Sequence, residues 1–496
     1  MRKNNLFITS SCLLGALASC YGAFGKNPRP NVILILADDM GIGDIRGLNP
    51  DSQIETPRLD EMCNRGIAFT DAHASSALST PSRYSILTGR YNWRSTKKGG
   101  VLGVMSPPMI ATGRNTIADM FRACGYTTAA IGKWHLGWDW TYKEGKAKTV
   151  DNIDFTKRVA NGPTDRGFDY FYGLTSPSGP PHLYMVNDMA EKQPNTRFED
   201  SGGGLYRIKG GIGHSDWSAD GMQPHLADKM LDYLDDNKNS DKPFFLYMAL
   251  TAPHIPLFPS KEFKGKSRIG DYGDLVMMID DIVGRVNRKL KEIGKYDDTI
   301  VMFAADNGCA GYINMDKINR KGHYPSYIYR GYKSHGWEGG HRIPFILSWG
   351  DRYGHVTDNS LVSLTDLYAT FADMLGYRTA DDEAEDSFSF WPILDGSGSS
   401  ARTDLIATSG AGYFTYRTPQ YKLIFNAGNG SGDEYRIDGQ PPLQFYDMVS
   451  DPEEKVNRID DPEYAGRIRE MAARVKKYIE DCLLYTSPSP RDMRRS

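Results

Sequence analysis

Cysteine is scarce in this chain of 496 residues, which has six, at Cys12, Cys20, Cys63, Cys124, Cys309 and Cys482. They fall without paired spacing, which excludes a disulfide-stapled scaffold and a cysteine zinc centre. Cys63, Cys124, Cys309 and Cys482 are expected to be small buried hydrophobes. An excess of one charge is also missing. Lys and Arg number 59 against 62 Asp and Glu, a net charge of -3, and no basic run is long enough to track phosphates, which argues against a nucleic-acid partner. There is no internal repeat and no coiled-coil heptad, so the chain is not a scaffold.

Long hydrophobic runs are absent as well. The one apolar stretch near the start, Leu6 to about Ala18, is too short to span a membrane. It follows Arg2 and Lys3, and this charged start with a short apolar middle is the pattern of an export signal over residues 1–25. The protein is therefore expected in the periplasm or at the cell surface. The segment LASC, Leu17 to Cys20, resembles a bacterial lipobox, which would put a lipid anchor on Cys20; cleavage near Ala23 without lipidation is the alternative. What remains is ordinary globular composition, 40% hydrophobic and 24% charged, enough for one large domain and a smaller one.

Short apolar runs alternate with helical segments, the βαβ rhythm of an α/β fold built on a mostly parallel sheet. Four of these runs end in polar side chains. NVILILADDM closes on Asp38 and Asp39, TTAAIGKWHLG on Lys133 and His135, FFLYMALTAPHIP on His254, and TIVMFAADNG on Asp306 and Asn307. Taken singly, each is a turn or capping residue. Together they lie where open α/β sheets bind ligands, outside the carboxyl ends of the strands. Asp38, Asp39, Asp306 and Asn307 offer only oxygen donors, which suits a hard cation such as calcium. Lys133, His135, His254 and the later Lys333, in RGYKSHGWEGGHRIP, add positive or proton-donating groups and so imply an anionic ligand.

The stretch STPSRYSILTGR, Ser79 to Arg90, reads as a helix with Ser79 as its N-cap, Pro81 in the first turn and Gly89 as its stop. Arg83 opposes the dipole of that first turn. Its expected reason is the same cationic set.

Together these residues resemble the type I, formylglycine-dependent sulfatases of the alkaline phosphatase superfamily, from about Asn31 onward. The signature is carried by Ser79, Thr80, Pro81, Ser82 and Arg83 with Thr88, Gly89 and Arg90, and the motifs ADDMG, GKWHLG, APHIP, DNG and WEGG follow in the family's order. The resemblance implies that Ser79 is oxidised to formylglycine (3-oxoalanine) by a serine-type radical maturase before export. It implies one calcium ion held by Asp38, Asp39, Asp306, Asn307 and the modified Ser79. The hydrated aldehyde would attack sulfur, and its second hydroxyl would then lose a proton as sulfate leaves. Arg83 and Lys133 would steady the diol and His135 would be the base. His254 would donate a proton to the leaving alcohol or hold the sulfate, and Lys333 would bind a sulfate oxygen. Ser176, in GLTSPSGPPH, and His182 are further candidates for substrate contact, as are Trp138, Tyr184 and Arg207.

The fold implied is a large mixed, mostly parallel sheet sandwiched by helices over residues 28–400, followed over 401–482 by a small antiparallel sheet with an amphipathic helix from about Pro462 to Asp481. Residues 483–496 read as a tail foreign to the fold. The substrate implied is a sulfate monoester on a glycan, such as a glycosaminoglycan, with galactose or N-acetylgalactosamine as the sugar. Two other functions stay open at this point. One is a phosphate or phosphonate ester hydrolase with unmodified Ser79 as nucleophile, which would need no maturase signature. The other is a surface glycan-binding protein without catalysis, which would leave gaps among the catalytic positions; none is missing.

Overall fold

The run Asn31–Asp38 is buried at every position, as a strand must be when both faces of its sheet are covered. In the computed structural model, which describes residues 29–432 and 441–486, this strand, β1, lies at the centre of a ten-stranded sheet. Its companions are β2 (Ile67–Phe69), β3 (Thr127–Lys133), β4 (Tyr170–Leu174), β5 (Met185–Val186), β6 (Met189–Ala190), β7 (Phe244–Pro253), β8 (Thr299–Ala305), β9 (Phe345–Trp349) and β10 (Val356–Asp358). Their spatial order is β10-β2-β9-β8-β1-β7-β3-β4-β5-β6. The five central strands, β8-β1-β7-β3-β4, are parallel, so their carboxyl ends emerge on one edge.

Register fixes what that edge presents. Ala37 pairs with Ala305, so Asp38 and Asp306 leave adjacent strands side by side. A bulge between Leu36 and Asp38 brings Asp38 opposite Pro253, and His254 follows. Gly132 is at φ +118°, and a Cβ there would lie 1.8 Å from the carbonyl oxygen of Ala249. Only glycine permits that approach of β3 to β7 just before Lys133.

Helices cover both faces. On one side pack α1 (Pro57–Arg65), α4 (Ala219–Asp236) and α5 (Asp271–Glu292); on the other are α2 (Ser79–Thr88), α3 (Ile117–Ala123) and α6 (Leu367–Leu375). Among the described residues no helix is long and apolar enough to cross a membrane. Cys63, Cys124 and Cys309 are buried. The export segment with Cys20 lies outside the described residues.

The α2 helix departs from expectation at its start. Leu78, extended at φ -141° and ψ 151°, occupies the cap position without a side-chain cap bond, and Ser79 is the first helical residue. Its hydroxyl is thereby free to point elsewhere. Gly89 ends the helix as expected, left-handed at φ +64° with its amide bonded to Ser85 O.

A second, antiparallel sheet follows, made of β11 (Leu405–Thr408), β12 (Phe414–Arg417), β13 (Tyr421–Ile424) and β14 (Gln444–Asp447). Helix α7 packs on it and runs over Ala465–Thr486, beginning later and ending later than Pro462 to Asp481. It shares a core with Tyr91 and Trp93, which follow α2. The small sheet also supports the large one. Thr408 bonds through its amide to Ser75 O and through its carbonyl to Ala77 N, while Gly410 N bonds to Ser334 O. The segment leading into Ser79 and the loop carrying Lys333 therefore rest on its edge.

Candidate active site

Ser79 is 1% exposed at the start of α2, and its Oγ lies 3.1 Å from Asp38 Oδ1 and 3.2 Å from Asn307 Oδ1. One hydroxyl hydrogen can serve only one of those acceptors at a time. Asp38 is also gripped by Lys133, whose Nζ is 2.6 Å from Oδ2. Arg83 aims Nε and Nη2 at Asp306 Oδ2, at 3.0 and 2.7 Å, and gives Nη1 to the carbonyl of Lys133. Its presence in a helical first turn is thus explained by a buried carboxylate opposite it.

The second half of the cluster is built around Asp39, left-handed at φ +68°. Its Oδ2 takes Lys333 Nζ at 2.7 Å and Tyr312 OH at 3.1 Å, and its Oδ1 takes Asn307 Nδ2 at 2.8 Å. The Asp39 amide donates to Asp306 Oδ1 at 3.2 Å. His254 fixes its Nδ1 on Ile255 O and places Nε2 3.7 Å from Asp39 Oδ2. Tyr312 was not foreseen: a lone tyrosine four residues after the DNG turn carries no pattern that singles it out.

Three buried carboxylates, Asp38, Asp39 and Asp306, thus face three cations, Arg83, Lys133 and Lys333. Burial opposes the charge on Asp38, yet Lys133, His254 and Arg83 hold its pKa down at about 2. Burial likewise opposes ionisation of Asp39, and Lys333 and His254 lower it. Both carboxylates are therefore ionised at neutral pH.

The donor set fits a hard divalent ion. Asp38, Asp39 and His254 each place a ligand atom within 4.8 Å of the others', and the surrounding acceptors from Asp306, Asn307 and Ser79 are all oxygens. Asp38 Oδ1 and Asn307 Oδ1, competing for one hydroxyl hydrogen, leave a lone pair that a cation would satisfy. A second cluster, His73, Glu338 and His341, also brings ligand atoms together. There Lys422 and Arg342 lie 2.9 and 3.0 Å from the Glu338 oxygens, and Lys422 is 3.2 Å from His341 Nε2. Its charge is already balanced, and it ties β13 to the WEGG segment.

Above Ser79 opens a cleft of about 750 Å³, lined by Ser79, His135, His254, Lys333 and Ser176, with a wall from Val101 to Pro107. Among the described residues no acidic side chain faces it. His135, left-handed at φ +56°, bonds through Nε2 to Leu102 O at 3.0 Å, and its buried Nδ1 has no partner among the described residues. Burial, with Lys133 and Arg83 nearby, puts its pKa well below the ordinary value, so the imidazole is neutral.

The predicted residues gather with few exceptions. Asp38, Asp39, Ser79, Arg83, Lys133, His254, Asp306, Asn307 and Lys333 form one contact network, and His135 shares the cleft. Arg83 and Lys133 stand behind the carboxylates rather than in the cleft wall. Ser176 is a half-buried turn residue at the cleft, its Oγ 3.4 Å from Ser178 Oγ and from Ser178 N. His182 does not reach the cleft: it is 2% exposed, and its Nε2 bonds to Lys209 O at 2.7 Å. Trp138 and Tyr184 are buried too, and Arg207 is exposed.

Comparison with known proteins gives concordant results. The Sulfatase family profile matches residues 30–377. An N-acetylgalactosamine-6-O-sulfatase of Bacteroides thetaiotaomicron is 30% identical, with 91% of this chain and 94% of that protein covered. Human arylsulfatase A is 30% identical over 87% of this chain and 83% of its own length. A solved structure of a 6S-sulfatase from the metabolism of multiple glycosaminoglycans by Bacteroides thetaiotaomicron superposes with a TM-score of 0.79 at 28% identity, covering 91% of this chain and 99% of that one. A sulfatase from Pseudoalteromonas sp., at 24% identity and a TM-score of 0.69, covers 95% of each chain and shares the fold.

Proposed function

This chain belongs to the sulfatase family, and from that premise we propose that it is an exported enzyme hydrolysing a sulfate monoester on a glycan, with 6-O-sulfated N-acetylgalactosamine as the sugar. The similarity to N-acetylgalactosamine-6-sulfatases supports the choice of sugar. The observation that carries the chemistry is the position of Ser79, whose Oγ lies between Asp38 Oδ1 and Asn307 Oδ1 on the floor of a cleft lined by His135, His254 and Lys333.

Ser79, oxidised by a serine-type maturase before export, would supply a hydrated aldehyde in place of a weak alcohol nucleophile. One calcium ion, held by Asp38, Asp39, Asp306, Asn307 and residue 79, would polarise the sulfate and orient it. The remaining work falls to side chains. Arg83 fixes Asp306, and Lys133 with Arg83 keeps Asp38 ionised and fixed. Lys333 and His254 offer the sulfate a cation and a ring nitrogen, and His254, once protonated at Nε2 as well as at the Nδ1 that donates to Ile255 O, would pass the Nε2 proton to the departing sugar oxygen. His135, neutral and donating from Nε2, presents Nδ1 as the base. Ser176 adds a hydroxyl at the rim. In net terms the S–O bond of the ester breaks and water supplies the oxygen that ends on sulfur.

The test is sulfate release, after co-expression with a maturase, across defined monosulfated galactose and N-acetylgalactosamine isomers. Release from the 6-O-sulfated N-acetylgalactosamine in preference to its 4-O isomer is expected. Equal release from both, or from neither, would contradict the assignment.

A further inference from the structure

Beside the cleft lies a smaller groove of about 260 Å³, lined by Ser178, Gly204, Arg207, Lys209, Ile255 and Pro256. Ser178 and Lys209 belong to both depressions. The groove thus continues from the cleft along the two residues that follow His254, on the side where the sugar leaves in the proposed reaction. Among the described residues its polar side chains are cationic or neutral, and no carboxylate lines it.

Its two cations are nearly unspent. Among the described residues Lys209 has no ion pair, and Arg207 has a contact of 3.8 Å with Asp200, both side chains being mostly exposed at 63% and 66%, an arrangement that contributes little. Arg207 and Lys209 flank Ile208 on an extended segment: Ile208 exchanges backbone hydrogen bonds with Ser201 and packs against the core. Residues two apart on such a segment share a face, so the two cations project together.

The segment is also held firmly. His182 Nε2 bonds to Lys209 O at 2.7 Å, its ring 4.3 Å from that of Trp217. Leu257 N bonds to Leu205 O at 2.8 Å, and Tyr206 OH to Asp271 Oδ2 at 2.7 Å. Two cations whose one ion pair, Arg207 with Asp200, is weak and exposed, on an anchored support beside the cleft, are suited to recognising an anion.

We propose that Arg207 and Lys209 form a second anion subsite, which takes a negatively charged group, carboxylate or sulfate, on the sugar next to the one that loses its sulfate. His182 is a positioning residue for it, acting through the Lys209 carbonyl. The inference deepens the sulfatase reading and rests on it.

The test compares wild type with the double variant Arg207→Ala/Lys209→Ala on four compounds: 6-O-sulfated N-acetylgalactosamine, the same unit linked to a uronic acid, that disaccharide with the uronate reduced to a neutral sugar, and one with a second sulfate on a neutral neighbour. Wild type should show a KM about five- to tenfold lower for one or both charged disaccharides than for the neutral one. The double variant should lose that difference while keeping its kcat and KM on the monosaccharide, and Arg207→Lys/Lys209→Arg should retain it. Which charged disaccharide is favoured tells carboxylate from sulfate. Equal KM for charged and neutral disaccharides in active wild type, or a preference that survives the double substitution, overturns the subsite and leaves the sulfatase reading standing. No sulfate release from any of the four by wild type overturns both.

Discussion

A neutral imidazole whose one nitrogen donates a hydrogen bond is a base at the other, and His135 meets both conditions. Nε2 is held by Leu102 O, Nδ1 has no partner, and burial with two neighbouring cations keeps the ring uncharged. His135→Ala should lower kcat by about 10²- to 10⁴-fold with little change in Tm, checked by sulfate release and thermal unfolding; activity within a factor of two of wild type would remove His135 from the mechanism. At this scale the sequence is informative about which residues matter and less so about what they touch. Ser79 satisfies every composition rule for an N-cap, yet Leu78 holds that position, because a small hydroxyl serves equally for capping an amide and for facing a carboxylate, and only the tertiary neighbours decide. Arg83 was expected beside the anion; its three nitrogens are taken by Asp306 and the Lys133 carbonyl. Tyr312 and Leu102 were invisible, since a single tyrosine and a backbone carbonyl leave no spacing to detect.

Elements were legible where chemistry interrupts a pattern. The apolar runs ending in ADD, GKWH, APH and ADNG announced parallel strands with a common functional edge, and those strands pair in parallel around β1. The wall from Val101 to Pro107 was not foreseen, because its residues are mostly small, apolar or glycine and its role is shape, whereas Arg207, on the 199–210 segment carried by the Thr196–Phe198 and Gly211–Gly213 hairpin, is among the residues the sequence offers for substrate contact. One connection between elements has a measurable pH signature. Asp280, on α5, accepts the amides of Arg58 and Leu59 at the start of α1. Burial outweighs those bonds and raises its pKa from 3.8 to about 7. The folded chain therefore holds a proton that the unfolded chain releases near pH 4. This contribution is full below about pH 4 and is lost as pH rises toward 7. Asp280→Asn keeps an acceptor oxygen and cannot ionise. Its Tm relative to wild type should therefore rise by a few degrees between pH 4.5 and 7.5; a difference independent of pH would mean that Asp280 is ionised throughout.

Across the whole molecule, charge is arranged for an ion and an anion in succession. Three carboxylates and three cations balance at the strand ends, so a bound divalent cation would leave a net positive site in a cleft with no acidic wall among the described residues, as a sulfate ester requires. Chelation should abolish sulfate release, and calcium should restore it while raising Tm, a saturating ion at 100 times its Kd contributing about 2.7 kcal/mol. Full activity after chelation, with Tm unchanged by calcium, would contradict the assignment. The small C-terminal sheet takes part by holding the Ser75–Ala77 and Ser334 backbone in place, so the site depends on both sheets.

The most direct test is the mass of the tryptic peptide Gly66–Arg83 from enzyme co-expressed with a serine-type maturase and active in sulfate release. The peptide should lack two hydrogens relative to the encoded sequence, with the loss confined to residue 79. An intact serine at residue 79 in fully active enzyme would contradict the aldehyde chemistry and return Ser79 to direct attack as an alcohol.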